Sequence, residues 1–85
     1  MISVEFFGPF RPFGKGAEVP AAGPISFDQL VEALVERFGE PFGRRARMRN
    51  TTLIVNNRVV RTRDIEKTEV GPGDRVSFAL LVGGG

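Results

Sequence analysis

The sequence contains neither cysteine nor histidine, and these two absences exclude much of the chemistry that a small protein could perform alone. Without them the chain has no disulfide, no thiol nucleophile, no imidazole base and no soft ligands for a structural zinc ion. Its ten acidic residues are scattered, with no pair at an obvious catalytic spacing. We therefore expect no catalytic residue and no metal site, and we predict that the chain is not an enzyme.

Long apolar segments are also absent. The longest apolar run, Phe78–Val82, is far shorter than the roughly 20 residues that a membrane-spanning helix needs. The N-terminus has no basic residues ahead of an apolar stretch, so it lacks the pattern of a signal peptide. We expect a cytoplasmic protein that makes no membrane contact.

The apolar residues that are present suffice for one small domain. The chain has 85 residues, of which 41% are hydrophobic and eight are phenylalanine. A chain of this length buries only about 60–65% of its unfolded surface, so it supports a single core. We predict one domain over residues 1–82, followed by a flexible glycine tail over residues 83–85.

One helix is predicted from the spacing of its apolar residues. They recur at the intervals typical of one face of an amphipathic helix: Phe27, Leu30, Val31, Leu34, Val35 and Phe38. Ser26 and the glutamine three residues after it form a capping box. Gly39 can adopt the left-handed conformation of a helix C-terminus, and Pro41 blocks continuation. We predict a helix over residues 27–38 and an irregular segment over residues 39–50.

The remaining ordered segments show the alternation or β-branching typical of strands. They cover residues 2–7, 17–19, 51–55, 58–60 and 76–82. Asn56 and Asn57 tolerate the positive φ angles of a tight hairpin turn. A single helix must bury its apolar face on a sheet. The order of hairpin, helix, hairpin and final strand therefore predicts an α+β, β-grasp (ubiquitin-like) fold, with a mixed four- or five-stranded sheet and one main helix packed across it.

The stretch Leu53–Gly85 resembles the C-terminal half of the bacterial sulfur carriers MoaD and ThiS. The shared features are an apolar strand that ends in Val55–Asn57, a turn with Gly73 and Asp74, an apolar final strand and a terminal pair of glycines. Residues 1–7 and the helix match as well, so the resemblance covers most of the chain.

The resemblance implies that the protein carries sulfur on the carboxylate of Gly85. A ubiquitin-activating-like adenylyltransferase would bind the tail and use ATP to adenylate this carboxylate. A sulfur donor would then convert it to a thiocarboxylate for delivery to a synthase, and the carrier itself would bind no cofactor. Gly83, Gly84 and Gly85 have no side chains, so a tail of roughly 10 Å could thread a narrow channel.

Several recipients of the sulfur are compatible with this resemblance. The connection of 19 residues between the first strand and the helix, Gly8–Ser26, is longer than in compact ThiS-like chains and resembles MoaD. This favours molybdopterin, with the large subunit of molybdopterin synthase as the second partner. The alternatives are a ThiS-like carrier for thiamine thiazole synthesis and a ubiquitin-like modifier that is conjugated to lysines.

A docking surface for partners is predicted beside the tail. Alternation in the last strand sends Ala79 and Leu81 to the face opposite the helix, and Phe7 could join them by the same parity. Exposed apolar side chains next to a functional tail form a natural docking surface. The alternative is that the loop Gly8–Gly16 folds over these residues.

A basic cluster is formed by Arg44, Arg45, Arg47 and Arg49. An RNA-binding β-grasp module would use such a cluster. However, the net charge is only +2 and no exposed aromatic residues interleave the arginines, so we expect no nucleic-acid partner. The interpretations left open are a solvated loop and a patch for an acidic protein partner.

Overall fold

The last strand within the described residues lies at the centre of the main sheet. The computed structural model describes residues 1–80, so Leu81, Val82 and the predicted tail, Gly83–Gly85, lie outside the described residues. In chain order the strands and α-helices are β1 (Ile2–Phe6), β2 (Gly16–Val19), β3 (Ile25–Ser26), α1 (Phe27–Phe38), α2 (Glu40–Ala46), β4 (Thr52–Val55), β5 (Arg58–Val60), β6 (Glu69–Val70) and β7 (Arg75–Ala79). A first 3₁₀ helix covers Gly8–Phe13, and a second covers Thr62–Lys67.

The main sheet, as formed by residues 1–80, has five strands in the order β2-β1-β7-β4-β5. β7 runs parallel to β1 and antiparallel to β4, while β2 and β5 pair antiparallel with β1 and β4. The predicted α+β β-grasp architecture with a mixed sheet is therefore confirmed. A small additional sheet pairs β3 with β6 and was not predicted, because each of its strands is only two residues long.

The main helix forms where its capping box predicts. The N–H of Gln29 donates to Ser26 Oγ at 3.1 Å, and the N–H of Ser26 donates to Gln29 Oε1 at 2.9 Å. The helix then turns Leu30, Val31 and Leu34 fully into the core. Both the predicted bounds and the predicted apolar face are confirmed.

Phenylalanine rings form the centre of the core between α1 and the sheet. The rings of Phe6, Phe10, Phe42 and Phe78 are completely buried. Contacting pairs among them have ring centroids 5.3 to 6.4 Å apart. Removing one such ring costs about 3–5 kcal/mol of stability. Because Phe10 comes from the first 3₁₀ helix, the connecting segment contributes to the core rather than looping away from it.

The prediction that residues 39–50 are irregular is wrong, because α2 occupies much of this segment. Gly39 has φ 91° and joins the two helices: its N–H donates to the carbonyl of Val35 at 2.7 Å, and its own carbonyl accepts from the N–H of Phe42 at 3.1 Å. Pro41 lies in the first turn of α2, where its missing N–H has no helical partner to lose. A Cβ on Gly43 would come within 2.8 Å of Val35 Cγ2, so this glycine permits close packing of α2 on α1.

The turns at the start of β7 are held together by two polar side chains. Asn56 and Asn57 have φ angles of 50° and 68°, which confirms the predicted hairpin turn. Asn56 Oδ1 accepts from the N–H of Arg75 at 2.9 Å, and Asn56 Nδ2 donates to Asp74 Oδ1 at 3.0 Å. Asp74 Oδ2 accepts from the N–H of Gly71 at 2.7 Å. The hydrogen bond from Asn56, with that from Gly71, holds the pKa of Asp74 below its ordinary value of 3.8.

We expect Asp74→Asn to lower the free energy of unfolding by about 1 kcal/mol at neutral pH, because one acceptor oxygen becomes a donor that faces another donor. Because the pKa of Asp74 is lower in the folded than in the unfolded protein, ionised Asp74 stabilises the fold at pH values above its ordinary pKa. This contribution is lost as the pH falls through the lowered pKa. Urea unfolding is measured for the parent protein and for Asp74→Asn from neutral pH into the acid range. The difference between their free energies of unfolding should become smaller as the pH falls. Glu36→Gln on the exposed side of α1 is the control, and a difference for Asp74→Asn that stays constant with pH would contradict the assignment.

Candidate functional site

The face of the main sheet opposite α1, here called the open face, is defined by the strand register. Glu5 pairs with Ser77, Ser77 with Ile54, and Ile54 with Val59, so these four side chains form one row across the strands. The next row toward the end of β7 contains Ala79 and its partner Thr52. Both rows point away from the phenylalanine core because side chains alternate along each strand.

Apolar side chains are exposed on this face. Phe7 is 40% exposed and Val59 is 59% exposed, while Ile54 between them in the sheet is half-buried. Val59 on β5 lies opposite Ile54 on β4, and β7 separates Ile54 from Phe7 on the same face. We call Phe7, Ile54 and Val59 the open-face patch. Ile54 and Val59 were not among the predicted docking residues, although both alternate with neighbours that face the core, Leu53 in it and Val60 packed against it.

The predicted docking residues, Phe7, Ala79 and Leu81, are not all exposed in the structure. Phe7 is exposed, as its position in the alternation suggested. The expectation that Ala79 is exposed is wrong, since its side chain is only 5% exposed. Its single methyl group is short and lies on the central strand, which has a neighbouring strand on each side. Leu81 lies outside the described residues, so its part in docking stays a prediction.

The loop between β1 and β2 does not bury the open-face patch. Its first 3₁₀ helix directs Phe10 and Phe13 toward Phe42, whose ring lies 5.8 and 5.3 Å from theirs. Arg11 from the same helix donates through Nε to the carbonyl of Phe6 at 2.8 Å, and its guanidinium lies 5.9 Å from the centre of the Phe7 ring. The loop therefore flanks the patch with one cation and leaves the ring of Phe7 accessible.

The described chain ends beside this patch. The N–H of Phe7 donates to the carbonyl of Phe78 at 2.9 Å, which ties the end of β1 to the end of β7. Gly8 follows with φ 56°, and a Cβ there would lie 3.8 Å from the backbone nitrogen of Leu80. Leu80, the last described residue, is thus adjacent to Phe7 and Gly8.

The arginine cluster does not act as one patch. Arg45 is structural: its Nη1 donates to Asn50 Oδ1 at 3.0 Å and to Thr51 Oγ1 at 3.2 Å, and its guanidinium lies 5.1 Å from the centre of the Phe10 ring. Arg47 pairs with Asp28 at 2.5 Å and with Glu32 at 3.5 Å, both on α1. Its hydrogen bond to Asp28 raises the pKa of Arg47 above the ordinary value. Arg44 and Arg49 remain exposed.

Over residues 1–80, no group of three or more acidic side chains is placed to hold a metal ion. None of the helices in this part of the chain is long and apolar enough to cross a membrane. Every buried side-chain nitrogen and oxygen among these residues has a hydrogen-bond partner.

Comparison with known proteins agrees with this architecture. A solved structure of a thiamine biosynthesis protein (ThiS) from Geobacter metallireducens is similar in fold, with a TM-score of 0.56 and 24% sequence identity. The likeness covers 98% of this chain and 99% of that one. No curated protein matches the sequence.

A family model gives the assignment. The model of the ThiS family matches residues 4–85, which is nearly the whole chain and includes the terminal glycines. The resemblance to the MoaD and ThiS carriers is thereby confirmed, whereas the preference for MoaD within that group is not. The chain therefore belongs to the ThiS family of ubiquitin-like sulfur carriers.

Proposed function

We propose that the protein transfers sulfur through the carboxylate of Gly85. A carboxylate oxygen attacks the α-phosphorus of ATP in a partner adenylyltransferase, and pyrophosphate leaves. A sulfur nucleophile then displaces AMP from the acyl adenylate, which leaves a thiocarboxylate for the recipient synthase. The observation that carries this proposal is that the match to the ThiS family runs through the last residue, so the glycines are part of the family pattern.

The placement of the open-face patch supports this proposal. The described chain ends at Leu80, adjacent to Phe7, so a partner that covers the patch also approaches the segment leading to Gly85. The five residues beyond Leu80 span at most roughly 17 Å when extended, which bounds the distance from the patch to the partner's reaction centre. Burial of the patch contributes about 25 cal/mol per Å² of apolar surface. The activating enzyme is the first partner that binds this surface, because adenylation precedes the transfer of sulfur.

Two recipients of the sulfur are supported by different observations. The family match and the fold of the Geobacter protein favour the thiazole of thiamine. The long connection between β1 and α1, which contains the first 3₁₀ helix and β2, favours the large subunit of molybdopterin synthase. We propose the thiamine pathway, in the cytoplasm, as the first candidate, with molybdopterin as the second. Conjugation to lysines would use the same activation.

Thiocarboxylate formation gives a direct test. Incubation with the adenylyltransferase of the same organism, ATP and a sulfide source should raise the intact mass by the difference between one sulfur and one oxygen. A variant lacking Gly84 and Gly85 is the control: it should keep its melting temperature, because the core described above lies within residues 2–78, and should gain no sulfur. An unchanged C-terminal peptide mass, under conditions that convert a known carrier, would contradict the role of Gly85.

The recipient can be identified by complementation. Expression of the chain in a bacterial strain that lacks its own thiamine carrier should restore growth without added thiamine. The same expression in a strain that lacks its molybdopterin carrier should not restore molybdoenzyme activity. The opposite pair of results would assign the protein to molybdopterin, and intact-mass analysis of cell extracts for lysine conjugates tests the modifier alternative.

The open-face patch can be tested with one charge. Val59→Asp should weaken binding to the activating enzyme about tenfold, because an exposed apolar side chain at the interface would become a desolvated carboxylate. The melting temperature should change little, since Val59 lies outside the core. Ala22→Asp is the matched control, because Ala22 is an exposed apolar residue in the segment between β2 and β3, outside the open-face patch. Equal binding by both variants would remove Val59 from the docking surface, and Leu81→Asp then tests the remaining predicted member.

A further inference from the structure

Positive charge is concentrated in one part of the chain. Residues 44–67 contain eight of the twelve basic residues and only two acidic ones, Asp64 and Glu66. This stretch therefore has a formal charge of +6, while the rest of the chain has −4. The small net charge of +2 hides this separation.

The fold places part of this basic stretch around a cleft on the helix side of the sheet. The cleft has a volume of about 610 Å³ and lies between the start of α1, the turn after α2 and the second 3₁₀ helix. Its apolar lining comes from Phe27, Ala46, Met48 and Ile65. Its charged lining comes from Asp28, Arg47, Arg49, Arg63 and Glu66.

The apolar floor of the cleft is preformed. Phe27, Ala46 and Ile65 are each at most 8% exposed and belong to the core. The ring of Phe27 lies 6.2 Å from that of Phe78, and its N–H donates to the carbonyl of Thr68 at 3.0 Å. Met48 is 51% exposed, and its unbranched side chain can adapt to different shapes. An apolar group that enters the cleft thus finds a fixed floor with one adaptable wall.

The cations that line the cleft differ in availability. Arg47 is already paired with Asp28 and Glu32. Arg49 and Arg63 are exposed, and no carboxylate within residues 1–80 lies at ion-pair distance from either. A guanidinium group binds a carboxylate through parallel hydrogen bonds. Two available guanidinium groups beside an apolar floor favour a ligand that is both anionic and apolar.

We propose that this cleft binds a short acidic segment of a protein partner, with one apolar side chain on the floor and carboxylates on Arg49 and Arg63. A nucleic acid fits the cleft less well, because Asp28 and Glu66 would repel a continuous phosphate backbone. Base stacking also has no platform here, since Phe27 is only 7% exposed. Spaced carboxylates of a peptide can contact the arginines and avoid both acidic side chains.

This binding site is separate from the surface assigned to sulfur transfer. The cleft is lined by residues of α1 and α2, whereas the open-face patch lies on the opposite side of the sheet. It uses neither Gly85 nor the patch, so the inference goes beyond the proposed function and does not depend on it. Both surfaces can be occupied at the same time.

A fluorescein-labelled pentapeptide with a central leucine and two acidic residues on each side is the probe. Fluorescence anisotropy should show saturable binding. Addition of the peptide should shift the NMR signals of Met48 and Ile65. The double variant R49E/R63E should bind the peptide roughly tenfold more weakly or worse, because two charge-assisted pairs become repulsive. The matched control, K15E/R37E, changes the net charge equally at exposed positions outside the cleft and should bind the peptide almost as the parent does.

Each contrary result would overturn the proposal. Equal losses in the two double variants would show that only overall charge matters. Unchanged affinity when the central leucine is replaced by glycine would show that the apolar floor is not used. Tighter binding of a single-stranded RNA of equal charge, with the same NMR shifts, would assign the cleft to nucleic acid. Melting temperatures of all variants are measured to verify that the fold is intact.

Discussion

The contacts of the Phe78 ring connect every layer of the structure. This ring lies on the central strand, and its centroid is 5.4 to 6.4 Å from those of Phe6, Phe10, Phe27 and Phe42. These partners come from β1, the first 3₁₀ helix, α1 and α2 respectively. With no cysteine or histidine to cross-link the chain through a disulfide or a zinc ion, the packing of these rings must supply the cohesion. The position of each surface described above depends on this cluster.

Alternation along β7 divides its side chains between the core and the open face. Val76 and Phe78 point into the core and are completely buried, whereas Ser77 and Ala79 point to the open face. The core therefore occupies one side of the strand, and the other side forms part of the open face. Because β7 is the central strand and its end lies beside Phe7, the segment that leads to the terminal glycines starts at this surface. A strand at the edge of the sheet would not bring these features together.

Arginine residues that are close in sequence have different physical roles in this fold. Arg45 stabilises the turn after α2 through hydrogen bonds and stacking, and Arg47 links that turn to α1 through ion pairs. Arg49 and Arg63 make no such contacts within residues 1–80 and face a shared cleft. The basic cluster is thus partly structural and partly available for binding. The net charge of the whole chain does not reveal this difference, because acidic residues elsewhere in the sequence offset the positive excess of residues 44–67.

Several elements of the fold depend on residues only a few positions apart and are predictable from the sequence alone. The capping box at Ser26, the apolar face of α1 and the turn at Asn56 follow from such local interactions, and the β-grasp order follows from them. The second helix, which has Pro41 in its first turn, is fixed by tertiary contacts, because Phe42 of that helix packs against rings from β1, the first 3₁₀ helix and β7. Likewise, Ala79 is buried by neighbours on other strands, and the cleft beside Arg63 joins segments that are distant in the chain. Exposure and grouping are properties of long-range contacts, which no local pattern of residues contains.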